Sequence, residues 1–184
     1  MSLTQNKVRI IGGEWRSRVI SFPHYAGLRP TPDRVRETVF NWLGQDMSGR
    51  TCLDLFAGSG AMGIEAASRR SELVVMVESS PTVYSALQAS LQKLRADQIE
   101  LLMIDALEFI MSDQRQFDVI FLDPPYRLGL LPKLLPLLPS HITKDGLIYV
   151  EGNSLSELDE DWLVWRSGRS GRVHYQLLRY EKNR

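Results

Sequence analysis

Residues 51–65 read TCLDLFAGSGAMGIE, and this stretch decides the fold. It opens with a mostly apolar run of the kind found in strands that are buried on both faces. Gly58, Gly60 and Gly63 follow with the spacing G-x-G-x-x-G. Glycines between a strand and a helix let the backbone approach a nucleoside closely, because no Cβ stands in the way. The stretch predicts the first β-α unit of a ligand-binding α/β sheet, although a tight turn without a ligand has the same pattern.

Further apolar runs follow, and patterns typical of helices lie between them. The runs span residues 73–78, 99–104, 117–122 and 146–151. This alternation predicts a parallel sheet with helices on both faces. Two last runs, 162–166 and 172–180, flank the turn-forming sequence GRSG and predict an antiparallel hairpin at one edge of the sheet. The predicted fold class is therefore α/β, with a mostly parallel seven-stranded sheet.

The front of the chain has a different pattern. The segment KVRIIGGEWRSRVISFP predicts a small β-hairpin with Gly12 and Gly13 as its turn. The segment LRPTPDRVRETVFNWLG predicts a helix with Thr31 as its cap, Pro32 as its first residue and Gly44 as its end. We expect this hairpin and helix to form an extension in front of the sheet.

The net charge of zero conceals a separation of charge along the chain. Residues 1–36 carry seven Lys and Arg against two Asp and Glu, and residues 166–184 carry six against one. Residues 37–165 carry nine against nineteen. Basic ends on an acidic body are typical of nucleic-acid binding, although a solvated surface without a partner fits the charge equally well. We expect residues 1–30 to form a basic extension and residues 31–184 to form the main domain.

Several features bear on the compartment. Cys52 is the single cysteine, so no disulfide forms within the chain and a reducing compartment is expected. No apolar run approaches the roughly 20 residues of a membrane span, and the first residues do not resemble a signal peptide. The histidines lack metal-ligand spacing, so no metal site is predicted. We expect a cytoplasmic protein without a membrane partner.

Acidic residues stand at three successive strand ends. Asp54 comes just before the glycine loop, Glu78 lies 20 residues after Gly58, and Asp105 follows the third run. The carboxyl ends of parallel strands form the edge where open α/β sheets bind ligands. Glu78 can accept both ribose hydroxyls of a nucleoside, and Asp105 can meet an adenine amino group or cap a helix. Asp54 would repel a pyrophosphate but suits a cofactor with an ammonium and a sulfonium, as in S-adenosylmethionine.

The fourth run ends in Asp123-Pro124-Pro125-Tyr126. Two prolines restrict φ and stiffen the loop, so that the Asp123 carboxylate and the Pro124 carbonyl can point at one place. Two acceptors on the two N–H groups of an exocyclic amine draw its nitrogen toward a pyramidal geometry. The lone pair is then localised for attack on a sulfonium methyl, while Tyr126 stacks on the base. The alternative is a proline-rich turn that merely closes the strand.

These motifs resemble those of class I methyltransferases that act on amino groups. The segments VRIIGGEWRSRVI and LRPTPDRVRETVFNWL narrow the resemblance to the RsmD family of bacterial 16S ribosomal RNA (guanine-N2)-methyltransferases, over about residues 7–181. The resemblance implies a Rossmann-like fold, S-adenosylmethionine as cofactor and methylation of N2 of guanine 966 in the assembled small subunit. The chain departs from the pattern at Ser17, where a glycine would be expected, and in the looser tail segment GRVHYQLLRY.

The resemblance also implies roles for individual residues. Those expected to bind the cofactor are Asp54, Phe56, Gly58, Gly60, Glu78, Ser79, Asp105, Ala106 and Asp123. Those expected to hold the guanine amino group are Asp123, Pro124, Pro125 and Tyr126. Those expected to face RNA are Arg9, Arg16, Arg18, Arg29, Arg34 and Arg36. The expected partner is 16S ribosomal RNA in the small subunit, and the expected state is a monomer with an RNA-contacting N-terminal extension.

Three other functions fit the same motifs. Adenine also offers an exocyclic amine, so adenine-N6 methylation of DNA or RNA is one of them. A glutamine side-chain amide would occupy the same site in a protein methyltransferase. A non-catalytic RNA-binding factor for ribosome assembly is the third, although the crevice keeps all of its polar residues.

Overall fold

The structure is a computed structural model that describes residues 5–25, 28–125, 128–152, 158 and 160–181. The strands are β1 (Gln5–Arg9), β2 (Val19–Pro23), β3 (Thr51–Asp54), β4 (Leu73–Val77), β5 (Ile99–Leu102), β6 (Phe117–Leu122), β7 (Ile142–Gly152), β8 (Trp162–Ser170) and β9 (Val173–Tyr180). The helices are α1 (Asp33–Leu43), α2 (Ala61–Ser68), α3 (Pro81–Leu94), α4 (Ala106–Ser112) and α5 (Leu131–Leu134), and a 3-10 helix at Leu135–Ser140 follows α5.

A seven-stranded sheet with the order β5-β4-β3-β6-β7-β9-β8 forms the centre of the molecule. The strands β3 to β7 pair in parallel, whereas β9 pairs antiparallel with β7 and β8 pairs antiparallel with β9. The predicted α/β class, with its parallel sheet and C-terminal hairpin, is therefore confirmed. The strand order switches sides at β3, because β4 and β5 lie on one side of it and β6 and β7 on the other, so the carboxyl ends of β3, β4 and β6 border one crevice.

Two apolar cores cover the two faces of this sheet. On one face, α1, α2, α3 and the N-terminal hairpin pack against alternate strand residues such as Val74, Val119 and Tyr149. On the other face, α4, α5 and the 3-10 helix pack against the intervening residues, such as Val75 and Ile120. The parallel strands are apolar on both faces because helices cover both, which explains their nearly continuous apolar runs.

The predicted bounds of the C-terminal hairpin were wrong at its turn. β8 continues through Gly168 to Ser170, and the chain reverses at Gly171, which has φ of 60°. Gly168 is paired with Tyr175, and a Cβ at Gly168 would collide with the tyrosine ring. This glycine therefore makes room for a cross-strand ring, and only Gly171 serves the turn.

The N-terminal hairpin forms as predicted, but Gly12 and Gly13 do not make a two-residue turn. β1 and β2 are joined by a longer loop, which lies against the end of α2. The Glu14 N–H donates to the Ser68 carbonyl at 2.7 Å, and a Cβ at Gly13, where φ is 76°, would collide with the same carbonyl. Gly13 therefore permits a close approach of two backbones, whereas Gly12 makes room for the Arg69 side chain. Ser17, where a glycine would be expected, has φ of 69°.

Glu65 of α2 is fully buried and accepts N–H groups from three parts of the chain. The backbone N–H groups of Ile11 and Gly12 donate to its carboxylate at 2.9 and 2.8 Å. Arg36 of α1 donates from Nη1 at 3.0 Å, and Arg69 donates from Nε and Nη2, each at 3.0 Å. A buried carboxylate is tolerated when it is paired and fully hydrogen-bonded. Glu65 therefore joins the N-terminal loop to α1 and α2.

This pairing corrects the prediction for Arg36. The sequence predicted that its side chain faces RNA, but only 1% of it is exposed. Its guanidinium lies between Glu65 and Asp33 and also donates to the Thr31 carbonyl. Thr31 itself is not a helix cap, because α1 begins at Asp33 without a side-chain capping bond.

Removing the charge of Glu65 should destabilise the protein strongly. A Glu65→Gln variant leaves the buried Arg69 guanidinium without an anion and the buried Arg36 guanidinium with the exposed Asp33 alone, which costs about 3–5 kcal/mol of unfolding free energy. The matched control is Glu100→Gln, whose ion pair with Arg115 is about two-fifths exposed on each side and should cost no more than about 1 kcal/mol. Urea unfolding of the two variants measures the difference. Equal effects would show that the Glu65 cluster does not hold the fold.

Candidate active site

The loop after β3 lies at the carboxyl edge of the sheet, between its two neighbouring strands. The Leu55 N–H donates to the Phe121 carbonyl at 3.1 Å, and the Ala57 N–H donates to the Val77 carbonyl at 2.9 Å. Gly60, with φ of 82°, starts α2, and a Cβ there would lie 2.7 Å from the Leu87 side chain. Because Gly60 has no side chain, the inner side of the loop packs directly against Leu87, and the backbone on the other side of the loop borders the crevice.

The Glu78 carboxylate is held at the end of β4 by this loop. Its Oε2 accepts the Gly58 N–H at 3.0 Å, and its Oε1 accepts the Ser80 N–H at 2.8 Å. One bond to each oxygen fixes the plane of the group and leaves lone pairs on both oxygens for further donors. The structure thus brings the glycine loop and the second predicted acid together.

Asp54 is buried below the same loop. Its Oδ2 accepts the Gly63 N–H at 2.9 Å, and a Cβ at Gly63 would lie 3.0 Å from both that oxygen and Met76. Burial raises the pKa of Asp54 to about 7, and the charge of Glu78 contributes to the rise. A carboxyl group in this state gains stability as an anion when a cation is placed beside it.

Asp105 has a different environment. It is exposed at the start of α4, and its Oδ1 accepts the Leu107 and Glu108 N–H groups at 2.9 and 3.2 Å. It therefore caps the helix, which was one of its two predicted roles; a contact with adenine stays a prediction. The other residues predicted to bind the cofactor are half-buried Phe56, exposed Ser79 and buried Ala106.

Asp123 follows β6 directly and lies on the same sheet face as Asp54. In the register of the sheet, Asp54 is paired with Phe121, and side chains two residues apart on a strand share a face. Burial raises the pKa of Asp123 well above its ordinary value, and the charges of Glu151 and Asp54 raise it further. Pro124 is buried and Pro125 is exposed, while Tyr126, predicted to stack on the base, lies outside the described residues.

Glu151 near the end of β7 is a site residue that the sequence analysis missed. It is half-buried, it interacts electrostatically with Asp123 and Thr31, and it accepts a hydrogen bond from the Tyr149 hydroxyl. The rule that identified Asp54 and Glu78 also applies to Glu151, because it ends the run at residues 146–151. That signal was present in the sequence; the partnership with Thr31 was not.

The arginines predicted to contact RNA divide into two groups. Five of them are exposed, namely Arg9, Arg16, Arg18, Arg29 and Arg34, whereas Arg36 is buried. Arg18 also donates to the Lys93 carbonyl at 2.8 Å at the end of α3. A second basic surface lies at the tip of the C-terminal hairpin, where Arg169 and Arg172 are exposed.

Two kinds of feature are absent from the described part of the chain. No three His, Cys, Asp or Glu side chains there are grouped so that they could bind a metal ion. In the same residues, no helix combines the length and the apolar character needed to cross a bilayer.

Comparison with known proteins places this geometry in context. Residues 8–179 match the family model described as conserved hypothetical protein 95. The ribosomal RNA small subunit methyltransferase D of Escherichia coli K12 is 39% identical over 95% of this chain and 91% of its own length. Its namesake in Haemophilus influenzae is 40% identical over 94% of each chain. A solved Escherichia coli structure, yhhF, assigned as a candidate methyltransferase, superposes with a TM-score of 0.87 at 37% identity, over 97% of this chain and 100% of that one.

The raised pKa of Asp54 predicts a pH-dependent affinity for S-adenosylmethionine. The cationic ligand favours the Asp54 carboxylate, so binding below pH 7 must release a proton. The affinity should rise as the pH increases toward about 7, by up to roughly tenfold per pH unit, and then level off. Isothermal titration calorimetry in buffers of different ionisation enthalpy measures both the affinity and the released proton.

The control for this experiment is Asp97→Asn, in the exposed turn after α3, which should keep the wild-type profile. Asp54→Asn should bind more weakly and without the pH dependence. A wild-type affinity that stays constant between pH 5.5 and pH 7.5 would exclude a cation next to Asp54.

Proposed function

This chain belongs to the conserved hypothetical protein 95 family, and from that premise we propose that it methylates N2 of guanine 966 in 16S ribosomal RNA within the small subunit. The relatives described above are small-subunit ribosomal RNA methyltransferases by name, which supports the substrate class. S-adenosylmethionine is the methyl donor. The guanine and its N2 atom are the finer part of the proposal, and they rest on the resemblance together with the acceptors in the crevice.

The crevice fits this cofactor in charge and in shape. The Glu78 carboxylate, oriented by two backbone N–H groups, accepts the ribose hydroxyls through its remaining lone pairs. Asp54 supplies a negative charge in a buried position, where it interacts more strongly with a cationic ligand than it would in water. Gly58, which has no Cβ, lets the Leu28 side chain pack directly on the loop backbone. When bound, S-adenosylmethionine supplies an electrophilic methyl group.

Asp123 and Pro124 then act on the amino group of the substrate. The Asp123 carboxylate and the Pro124 carbonyl each accept one N–H of the exocyclic amine. This draws the nitrogen out of conjugation with the ring and turns its lone pair toward the methyl group. The nitrogen would take the methyl group from the bound donor, which would leave as S-adenosylhomocysteine, and the proton that the nitrogen then loses would pass along its hydrogen bond to the Asp123 carboxylate. The main contribution to the rate is positioning, so no further, stronger general base is needed. The base must leave its stack to reach this place, at a cost of a few kcal/mol.

One observation carries the proposal. Asp123 and Asp54 end neighbouring strands on the same sheet face and interact electrostatically. The acceptor for the amine and the acid for the cofactor therefore face one space. A proline turn that only closed β6 would not require a second buried carboxylate beside it.

The exposed arginines near the chain start form the proposed RNA surface. Guanidinium groups donate paired hydrogen bonds to phosphate, and their exposure leaves them available for it. Arg169 and Arg172, at the tip of the C-terminal hairpin, extend this surface at the end of β7. The strand pairing places them there, because Arg169 is paired with His174 and His174 is paired with Gly152 of β7. Arg29, next to Leu28 at the glycine loop, and the hairpin tip thus lie on the crevice side of the molecule, whereas Arg18, bonded at the end of α3, lies toward the opposite edge of the sheet.

Asp123→Ala tests the role of the acceptor pair. The variant should lose at least about 100-fold in kcat, because one of two acceptors on the amine is gone. Its affinity for S-adenosylmethionine should change by less than about threefold, and its melting temperature should not fall. The control is Asp145→Ala, exposed at the opposite end of the sheet. Unchanged methyl transfer by Asp123→Ala would favour the non-catalytic assembly factor.

A tritiated-methyl transfer assay tests the substrate. It offers naked 16S RNA, 30S particles, total tRNA and DNA side by side. We expect label in the 16S RNA of 30S particles. Label in DNA alone would overturn the substrate class, and label on naked RNA but not on particles would overturn the assembled substrate.

Two arginines of α1 should behave differently, although they are two residues apart. Arg34→Ala should weaken RNA binding and reduce the slope of log affinity against log salt by about 1, without loss of stability. Arg36→Ala should instead destabilise the fold, because Glu65 loses a buried partner. Filter binding at several salt concentrations and thermal unfolding measure the two effects. Equal salt slopes for Arg34→Ala and the wild type would remove Arg34 from the RNA surface.

A further inference from the structure

Glu151 lies next to Asp123 at the carboxyl edge of the sheet. β6 and β7 are parallel neighbours, with Phe121 paired with Tyr149 and Leu122 paired with Val150. The next residue on each strand is Asp123 or Glu151. Adjacent strands are about 4.8 Å apart, and residues at matching positions of a parallel pair point to the same face. The two carboxyl groups therefore face the same space, on the side of the sheet that carries Asp54.

The Tyr149 hydroxyl orients the Glu151 carboxylate. It donates to Oε2 at 2.8 Å, and Thr31 lies close enough to the carboxylate to favour its charged form. Tyr149 is fully buried and Thr31 is 6% exposed, so both neighbours are themselves held in place. A carboxylate has about four lone-pair sites, so these neighbours leave capacity for another donor. Glu151 is oriented and still able to accept a hydrogen bond.

The space between these carboxyl groups favours a ligand that brings N–H donors. Burial raises the pKa of Glu151, and burial together with the charges of Glu151 and Asp54 raises the pKa of Asp123. Neighbouring carboxylates repel each other, and hydrogen bonds from a ligand stabilise their charged forms. A ligand with an acceptor atom at this place meets a negative charge when the carboxyl groups are ionised, and it is bound only if one of them carries a proton.

This condition separates guanine from adenine. The Watson–Crick edge of guanine presents N1–H next to the 2-amino group, so these two adjacent positions both donate, whereas O6 on the other side of N1 accepts. The corresponding edge of adenine presents the 6-amino group next to N1, whose lone pair only accepts. With the exocyclic amine at Asp123, a carboxylate beside it accepts the N1–H of guanine and repels N1 of adenine. Sites built around such a hydrogen bond discriminate strongly against analogues that cannot form it.

We propose that Glu151 is a specificity-determining residue whose carboxylate accepts the N1–H of the guanine that Asp123 and Pro124 hold by its 2-amino group. Thr31 and Tyr149 are its positioning residues. The inference rests on the proposed function, because it assigns a partner to Glu151 within that same site. It also gives the N-terminal segment a part in base selection, since Thr31 precedes α1 and reaches the end of β7.

The test compares guanine with 2-aminopurine at the target position of the same RNA. 2-Aminopurine keeps the 2-amino group but has a lone pair at N1 in place of N1–H. The 16S RNA is ligated from segments that carry either base and is assembled into small subunits, and the rate of tritiated-methyl transfer is measured on each. The wild type should prefer guanine by about 100-fold. Glu151→Gln should methylate guanine at least tenfold more slowly and should lose at least tenfold of the preference, because an amide can donate to the N1 lone pair.

2-Aminopurine also lacks O6, so the preference of the wild type for guanine does not by itself isolate the N1–H contact. The test therefore depends on how much this preference differs between the wild type and Glu151→Gln. A residue with only a structural role would lower both rates together. Thr31→Val, which removes one positioning hydroxyl, should reduce the preference about three- to tenfold and provides the measurement if Glu151→Gln does not fold. Asp145→Asn, exposed at the other end of β7, should match the wild type.

The outcomes separate this inference from the proposed function. Methylation of guanine by the wild type, with an unchanged preference in Glu151→Gln and Thr31→Val, would overturn the role of Glu151 and leave the proposed function intact. Equal wild-type rates on guanine and 2-aminopurine would also overturn the role of Glu151 and leave the proposed function intact. Failure of the wild type to methylate the guanine particle would overturn the proposed function and this inference with it.

Discussion

The buried carboxylate of Glu65 is the constraint on which the arrangement of the molecule depends. It accepts N–H groups from the loop at Ile11 and Gly12, from Arg36 and from Arg69. A buried charge is stable only while all of its hydrogen-bond and ion-pair partners are in place, because the loss of one partner leaves a buried polar group unpaired. The N-terminal loop, α1 and α2 therefore adopt one relative position.

This arrangement also places residues 28–31, just before α1, at the carboxyl edge of the sheet, where the candidate active site lies. Leu28 lies against the glycine loop, so closely that a Cβ at Gly58 would be 2.8 Å from its side chain. Three residues further on, Thr31 lies close enough to Glu151, near the end of β7, to lower the pKa of its carboxyl group. The exposed Arg29 lies between these two contacts. A phosphate bound by this segment would therefore be close to the crevice, which couples RNA binding to presentation of the base.

Local rules were enough to predict the sheet and most of the acidic crevice. Strand runs buried on both faces are recognisable from a few neighbouring residues, and the acids at their ends follow from the geometry of parallel sheets, as with Asp54 and Glu78. The fate of Arg36 could not be predicted in this way. Its burial depends on Glu65, 29 residues away in sequence, and local patterns treat both as surface charges. Gly13 was misjudged for the same reason, because its contact lies on a distant helix.

The roles assigned to Asp123 and Pro124 predict which methylated nucleoside the protein produces. Small subunits that lack the modification are incubated with the protein and S-adenosylmethionine, and the 16S RNA is digested completely and analysed by mass spectrometry. A pocket that accepts an exocyclic amine beside an N1–H yields N2-methylguanosine, one residue per particle. The appearance of N6-methyladenosine, or of a methyl group on a ring nitrogen or a ribose, would contradict the assignment of these acceptors.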